Sequence, residues 1–146
     1  MFACGSDANA AGSPSSVRRA DLRAWLAGYE EAWRSPGVER LSRLFAEAAS
    51  YRPSPFEAPI VGLDAIAEFW VAEREGPDEV FEIAAEIVAV DGRVGVIRLE
   101  VVYGDPATTR YRDLWIVELG EDGRCVAFEE WPFFPGQGRV APVGSA

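Results

Sequence analysis

Four stretches rich in β-branched and aromatic residues follow one another near the C-terminus: 79–90, 93–103, 110–119 and 124–131. They are separated by Asp91-Gly92, by the segment Gly104 to Thr109, and by Gly120-Glu121-Asp122-Gly123. Parallel neighbours need a crossover of about a dozen residues or more, so connections this short join antiparallel strands. The second half of the chain is therefore an antiparallel meander. Upstream the period changes. Leu22, Trp25, Leu26, Tyr29 and Trp33 fall at i, i+3, i+4, i+7 and i+11, one face of a helix. Ser35-Pro36 then reads as the cap and first position of a second helix lined by Val38, Leu41, Leu44 and Phe45. A short strand over 49–52 and a stiff loop carrying Pro53, Pro55 and Pro59 come next. Leu63, Ile66, Ala67 and Trp70 stripe a third helix over 63–74, stopped by Gly76-Pro77. Helices first and a meander afterwards predict an α+β fold, with three N-terminal helices packed on an antiparallel sheet.

A chain of 146 residues fits one domain. That domain is expected over 18–136, between a polar N-terminal tail (1–17) and a Gly/Pro-rich C-terminal tail (137–146). The net charge of −10 and the lack of any basic cluster beyond Arg18-Arg19 argue against nucleic-acid binding. No apolar stretch approaches the roughly 20 residues needed to span a bilayer. Met1 to Cys4 has neither a basic flank nor an apolar run behind it, which predicts a cytoplasmic protein. Cys4-Gly5-Ser6-Asp7 also looks like the start of a processed bacterial lipoprotein, anchored through Cys4 if the true start lies upstream. The chain contains no histidine and no lysine. Ser-His and Cys-His pairs, imidazole metal ligands and Schiff-base chemistry are thereby excluded. Carboxylates, tyrosines, arginines, hydroxyls and Cys125 remain to handle protons and charge, so any chemistry is expected to be cofactor-free and metal-free.

The order of elements resembles the nuclear-transport-factor-2-like (SnoaL-like) superfamily over roughly Val17 to Pro135. The resemblance is carried by Tyr29-Glu-Glu-Ala-Trp33, by Leu44-Phe45-Ala46-Glu47-Ala48-Ala49-Ser50-Tyr51, by Gly62-Leu-Asp-Ala-Ile66, and by Asp122-Gly123-Arg124-Cys125 ahead of Phe128-Glu-Glu-Trp131. It implies a cone in which helices and a curved sheet enclose a small-molecule pocket. Compared with the ketosteroid isomerases, Tyr29 falls at the oxyanion-hole tyrosine. Pro53 or Ser54 stands where the base aspartate belongs, and Trp115 where the second donor belongs. Against the limonene epoxide hydrolases, Arg98-x-Glu100 with Glu129 or Glu130 echoes an Arg and two acids.

Strand parity assigns the faces. A two-residue turn at Asp91-Gly92 sets Glu86 opposite Ile97 and Glu82 opposite Val101. Pairing Tyr103 with Tyr111 and Trp115 with Phe128 then gathers Glu82, Glu86, Tyr103, Asp113, Trp115, Phe128 and Glu130 on one face. The isomerase comparison makes that face concave. Asp113, Glu130 and Tyr29 are the candidate catalytic residues, because two close carboxyls cannot both ionise cheaply and form an acid–base pair without histidine. Trp115, Phe128, Tyr103, Tyr51, Trp70 and Glu86 are the candidate pocket residues. Three functions fit: a binding domain for a small apolar or polar-apolar metabolite, a lyase, isomerase or hydrolase, or a dimerisation module whose cavity is filled. The opposite face, with Ile83, Ile87, Val96, Leu114 and Ile116 rimmed by Arg98, Glu100, Glu118 and Glu129, is expected to pair with a second copy.

Overall fold

The computed structural model describes residues 16–74 and 76–137. The expected tails, Cys4 included, lie almost wholly outside them. Val17, read as the end of the tail, is buried and donates its N–H to the Gly92 carbonyl at 2.7 Å. Helix α1 (Arg19–Arg34) buries the predicted stripe. Its start is held by Asp21, whose carboxylate accepts the Arg18 N–H at 3.0 Å. Its end is held by Ser35, whose hydroxyl donates to the Glu31 carbonyl at 2.6 Å.

The second helix is shorter than expected. Helix α2 covers only Leu41–Leu44, and Phe45 opens strand β1 (Phe45–Arg52). Periodicity alone had put Phe45 on the helix. A tertiary partner overrides it, because β1 lies parallel to the last strand, with Phe45 opposite Cys125 and Ser50 opposite Ala127 across an irregular register. Strand β2 (Ile60–Val61) and helix α3 (Leu63–Glu73) follow. The meander is then β3 (Phe81–Asp91), β4 (Val94–Tyr103), β5 (Thr109–Leu119) and β6 (Cys125–Phe133). The order across the curved sheet is β2-β1-β6-β5-β4-β3, antiparallel except at β1–β6. The α+β cone is therefore as predicted, with one parallel pair added.

The core lies between α1, α3 and the concave face. Trp25, Trp33, Leu41, Phe45, Ile66 and Trp70 are all buried there. The ring of Trp25 meets Phe45, Trp115 and Phe128, and Trp33 stacks on Phe81 at 4.0 Å. Leu26 is only half-buried.

Register decides which side chains reach that face. Across β4 and β5, Ile97 meets Trp115 and Leu99 meets Asp113. Across β5 and β6, Trp115 meets Glu130 and Val117 meets Phe128. Each differs from the expected pairing by two residues, which preserves the faces. In β3 the outcome differs. Gly92 takes the first central turn position with φ 60°, and the register shifts between Ile87 and Ala89. That bulge inserts one extra residue and reverses the alternation beyond it. Glu86 lies opposite Arg98, and Ile83 opposite Val101. Glu82 and Glu86 therefore point away from the concave face, while Ile83 and Ile87 pack against the core.

Candidate active site

A cavity of about 590 Å³ remains between the concave face and the helices. Tyr29 reaches it from α1, Tyr51 from the end of β1, and Phe69 and Glu73 from α3. The sheet contributes Val101, Tyr103, Tyr111, Asp113, Trp115 and Glu130. Glu57 and Glu73 are exposed at the rim.

Asp113 and Trp115 point inward because they alternate with Leu114 on β5, and Glu130 sits opposite Trp115 on β6. Asp113 is only 6% exposed. Burial raises its carboxyl, although Glu130 and the Trp115 indole pull the other way. Burial first, and then the facing Asp113, push Glu130 up to about 8, against the pull of Arg74. Both carboxyls are raised by burial, and Glu130 keeps its proton at neutral pH.

Above them is a second polar group. The Tyr29 and Tyr51 hydroxyls lie 3.1 Å apart, and the Arg74 guanidinium donates to the Tyr29 oxygen at 2.7 Å. Burial pushes Tyr29 up to about 12 and raises Tyr51 as well, so both stay protonated donors. The sequence reading missed Arg74, which it took as no more than a helix end. The signal was its spacing: Arg74 follows Trp70 by four residues, on the same side of α3, and its guanidinium stacks 3.5 Å over the Trp70 ring.

Of the other predicted pocket residues, Tyr51, Tyr103 and Trp115 line the cavity. Phe128 and Trp70 do not. Phe128 packs beneath, against Tyr51 at 4.6 Å and Trp115 at 5.0 Å, and Trp70 supports Tyr29 at 5.1 Å. Glu86 is a correction: the β3 bulge turns it outward, where it pairs with Arg98 at 2.8 Å. The epoxide-hydrolase-like set is divided by the sheet. Arg98, Glu100 and Glu129 lie on the convex face, with Glu100 bound to Arg112 at 3.2 Å and Glu129 to Arg52 at 3.8 Å. Only Glu130 of that set faces the cavity. Cys125 is buried, and burial pushes its thiol up to about 12, which removes it as a thiolate nucleophile. Among the described residues no group of three or more acids or cysteines converges as a metal site. No helix there is long and apolar enough to cross a membrane.

The profile of the SnoaL-like domain matches residues 19–128, most of the chain, from the start of α1 into β6 and ending just before Glu130. This protein belongs to the SnoaL-like domain family. Its solved structural neighbours share the fold at low identity. A putative ketosteroid isomerase from Kribbella flavida is 19% identical, with 84% of this chain and 83% of that one covered and a TM-score of 0.60. An M. tuberculosis LEH-like epoxide hydrolase is 12% identical, with 78% and 84% covered and a TM-score of 0.61. A putative polyketide cyclase from Sinorhizobium meliloti is 22% identical, with 78% and 99% covered and a TM-score of 0.58. No curated protein matches the chain. What this SnoaL-like domain does must accordingly be argued from its own cavity.

Proposed function

We propose that the cavity binds a small organic molecule and that Asp113 and Glu130 move a proton on it. The protein is then an acid–base enzyme of the isomerase, lyase or hydrolase kind. One observation carries this reading. Three buried side-chain polar atoms among the described residues have no partner at good hydrogen-bond geometry, although Asp113, Glu130 and the Trp115 indole lie close enough to act on one another: Arg74 Nε, Asp113 Oδ1 and Trp115 Nε1. All three belong to residues lining the one cavity. A buried polar group left unpaired costs about 1–3 kcal/mol, so folds seldom leave three together without a use. These atoms are closed to solvent, so a bound molecule would satisfy them only where the cavity wall shifts to admit it.

The chemistry follows from the pair. With one proton between them, one carboxyl donates while the other accepts, the function usually performed by histidine. The Tyr29 hydroxyl, polarised by the Arg74 donor, is placed to stabilise negative charge developing on the substrate. The printed names of the neighbours include an isomerase, an epoxide hydrolase and a cyclase, but at these identities they speak for the fold. A thermal-shift screen of small metabolites tests binding, because a ligand at 100 times its Kd adds about 2.7 kcal/mol of stability. Asp113→Asn should then reduce turnover of any hit about 100-fold or more. Unchanged turnover in that variant would remove the acid–base assignment.

The same reading includes a partner. Among the described residues no helix covers the convex face, which exposes Leu114, Trp131 and Phe133 beside Val96 and Ile116. Ile83 and Ile87, expected in this patch, are on the other side. We propose that the smaller patch still meets a second copy, rimmed by the Arg98, Glu100 and Glu129 ion pairs.

A further inference from the structure

Arg74 is a charge that no close ion pair of the described fold neutralises, although Glu130 and the Tyr29 and Tyr51 oxygens attract it. It ends α3, and its guanidinium is held flat by aromatic rings, 3.5 Å over Trp70 and 5.3 Å from the centroid of Trp33. One amino group donates to Tyr29 and Nε is closed to the cavity, which leaves the edge between the two amino groups for an acceptor. No ion pair joins Arg74 to a carboxylate of the described residues, although eight pairs engage other arginines. It is also the one cationic side chain lining the cavity among the described residues. A guanidinium stacked on a ring loses water from its faces but keeps its in-plane N–H edge for an acceptor. That edge matches a planar oxyanion, to which it can donate two parallel hydrogen bonds. A guanidinium with part of its hydration removed and donors left over gains from such a partner.

We propose that the ligand of this cavity carries a carboxylate, seated on Arg74, with its reacting part toward Asp113 and Glu130. This rests on the reading of the cavity as a small-molecule site and adds the class of molecule. Acidic residues also line the cavity, and an organic amine is the competing ligand. Their arrangement favours the carboxylate. Glu57 and Glu73 are exposed at the rim, where salt screens them over about 8 Å. Glu79 accepts the Trp33 indole N–H at 2.8 Å. Asp113 and Glu130 retain a proton between them.

Three matched probes decide between these ligands: phenylacetate, phenylacetamide and phenethylamine, titrated calorimetrically and by tryptophan fluorescence at neutral pH and physiological salt. Phenylacetate should bind at least tenfold more tightly than the amide or the amine. Arg74→Gln should erase that preference. Arg74→Lys, which keeps the charge but loses the fork, should keep part of it, and this variant carries the test if the glutamine variant does not fold. Asp113→Asn should retain the carboxylate preference, so loss of turnover in that variant is separable from loss of the anion site. An amine or amide bound as tightly as phenylacetate, no phenylacetate binding at millimolar concentration, or a preference unchanged in both Arg74 variants would overturn the proposal.

Discussion

Replacing Glu130 with glutamine tests the retained proton without any ligand. Burial and the facing Asp113 raise the Glu130 carboxyl from an ordinary 4.5 to about 8. Between those values the native protein keeps a proton that the unfolded chain has released. The contribution of this group to stability is therefore full below pH 4.5, falls as pH rises through the window, and levels off above 8. At about 1.4 kcal/mol per tenfold, moving a carboxyl that far sets a ceiling of about 5 kcal/mol. Glu130 is half-buried and titrates jointly with Asp113, so the expected fall is smaller, about 2 kcal/mol. Glutamine has no proton to lose. Urea unfolding followed by tryptophan fluorescence, at steps from pH 5 to 8.5, gives stability curves for both proteins. Their difference isolates the second proton of the pair. The wild type should lose about 2 kcal/mol relative to Glu130→Gln across that range. A difference independent of pH would refute the retained proton. A wild type that gains relative stability with pH would show an ionised Glu130 paired with Arg74 instead.

Three further outcomes can be measured. Tyr29→Phe removes the acceptor of Arg74 and the partner of Tyr51, and should cost about 1–3 kcal/mol in urea unfolding; a cost below about 0.5 kcal/mol would show that the hydroxyl cluster is not structural. Gly95→Ala on β4 should cost about 1–3 kcal/mol, because its Cβ would run into the fully buried Leu22 side chain; an alanine variant as stable as the wild type would show that α1 can shift away. Sedimentation should give about twice the 15.9 kDa chain mass, and Leu114→Glu should return it to one. A wild-type monomer that persists on concentrating would remove the convex interface.

The architecture was legible because it depends on local signals. The α1 stripe, the Gly76-Pro77 stop and three short connections suffice to give helices followed by a meander, whatever else the chain does. The inward positions of Asp113, Trp115 and Glu130 were also legible, since errors of two residues in register leave parity unchanged. The composition without histidine or lysine had already left only carboxylates, tyrosines, arginines, hydroxyls and Cys125 to handle protons and charge. What the sequence left undetermined depends on contacts between distant segments. The bulge beside Val88 reverses Glu82 and Glu86, and no local residue preference announces it. Phe45 leaves its helix because β6 offers its backbone a parallel ladder 80 positions away. Arg74 becomes a site residue only where Trp70, Trp33 and Tyr29, from two helices, close around it. Periodicity records which face a residue is on; the tertiary structure decides what that face meets.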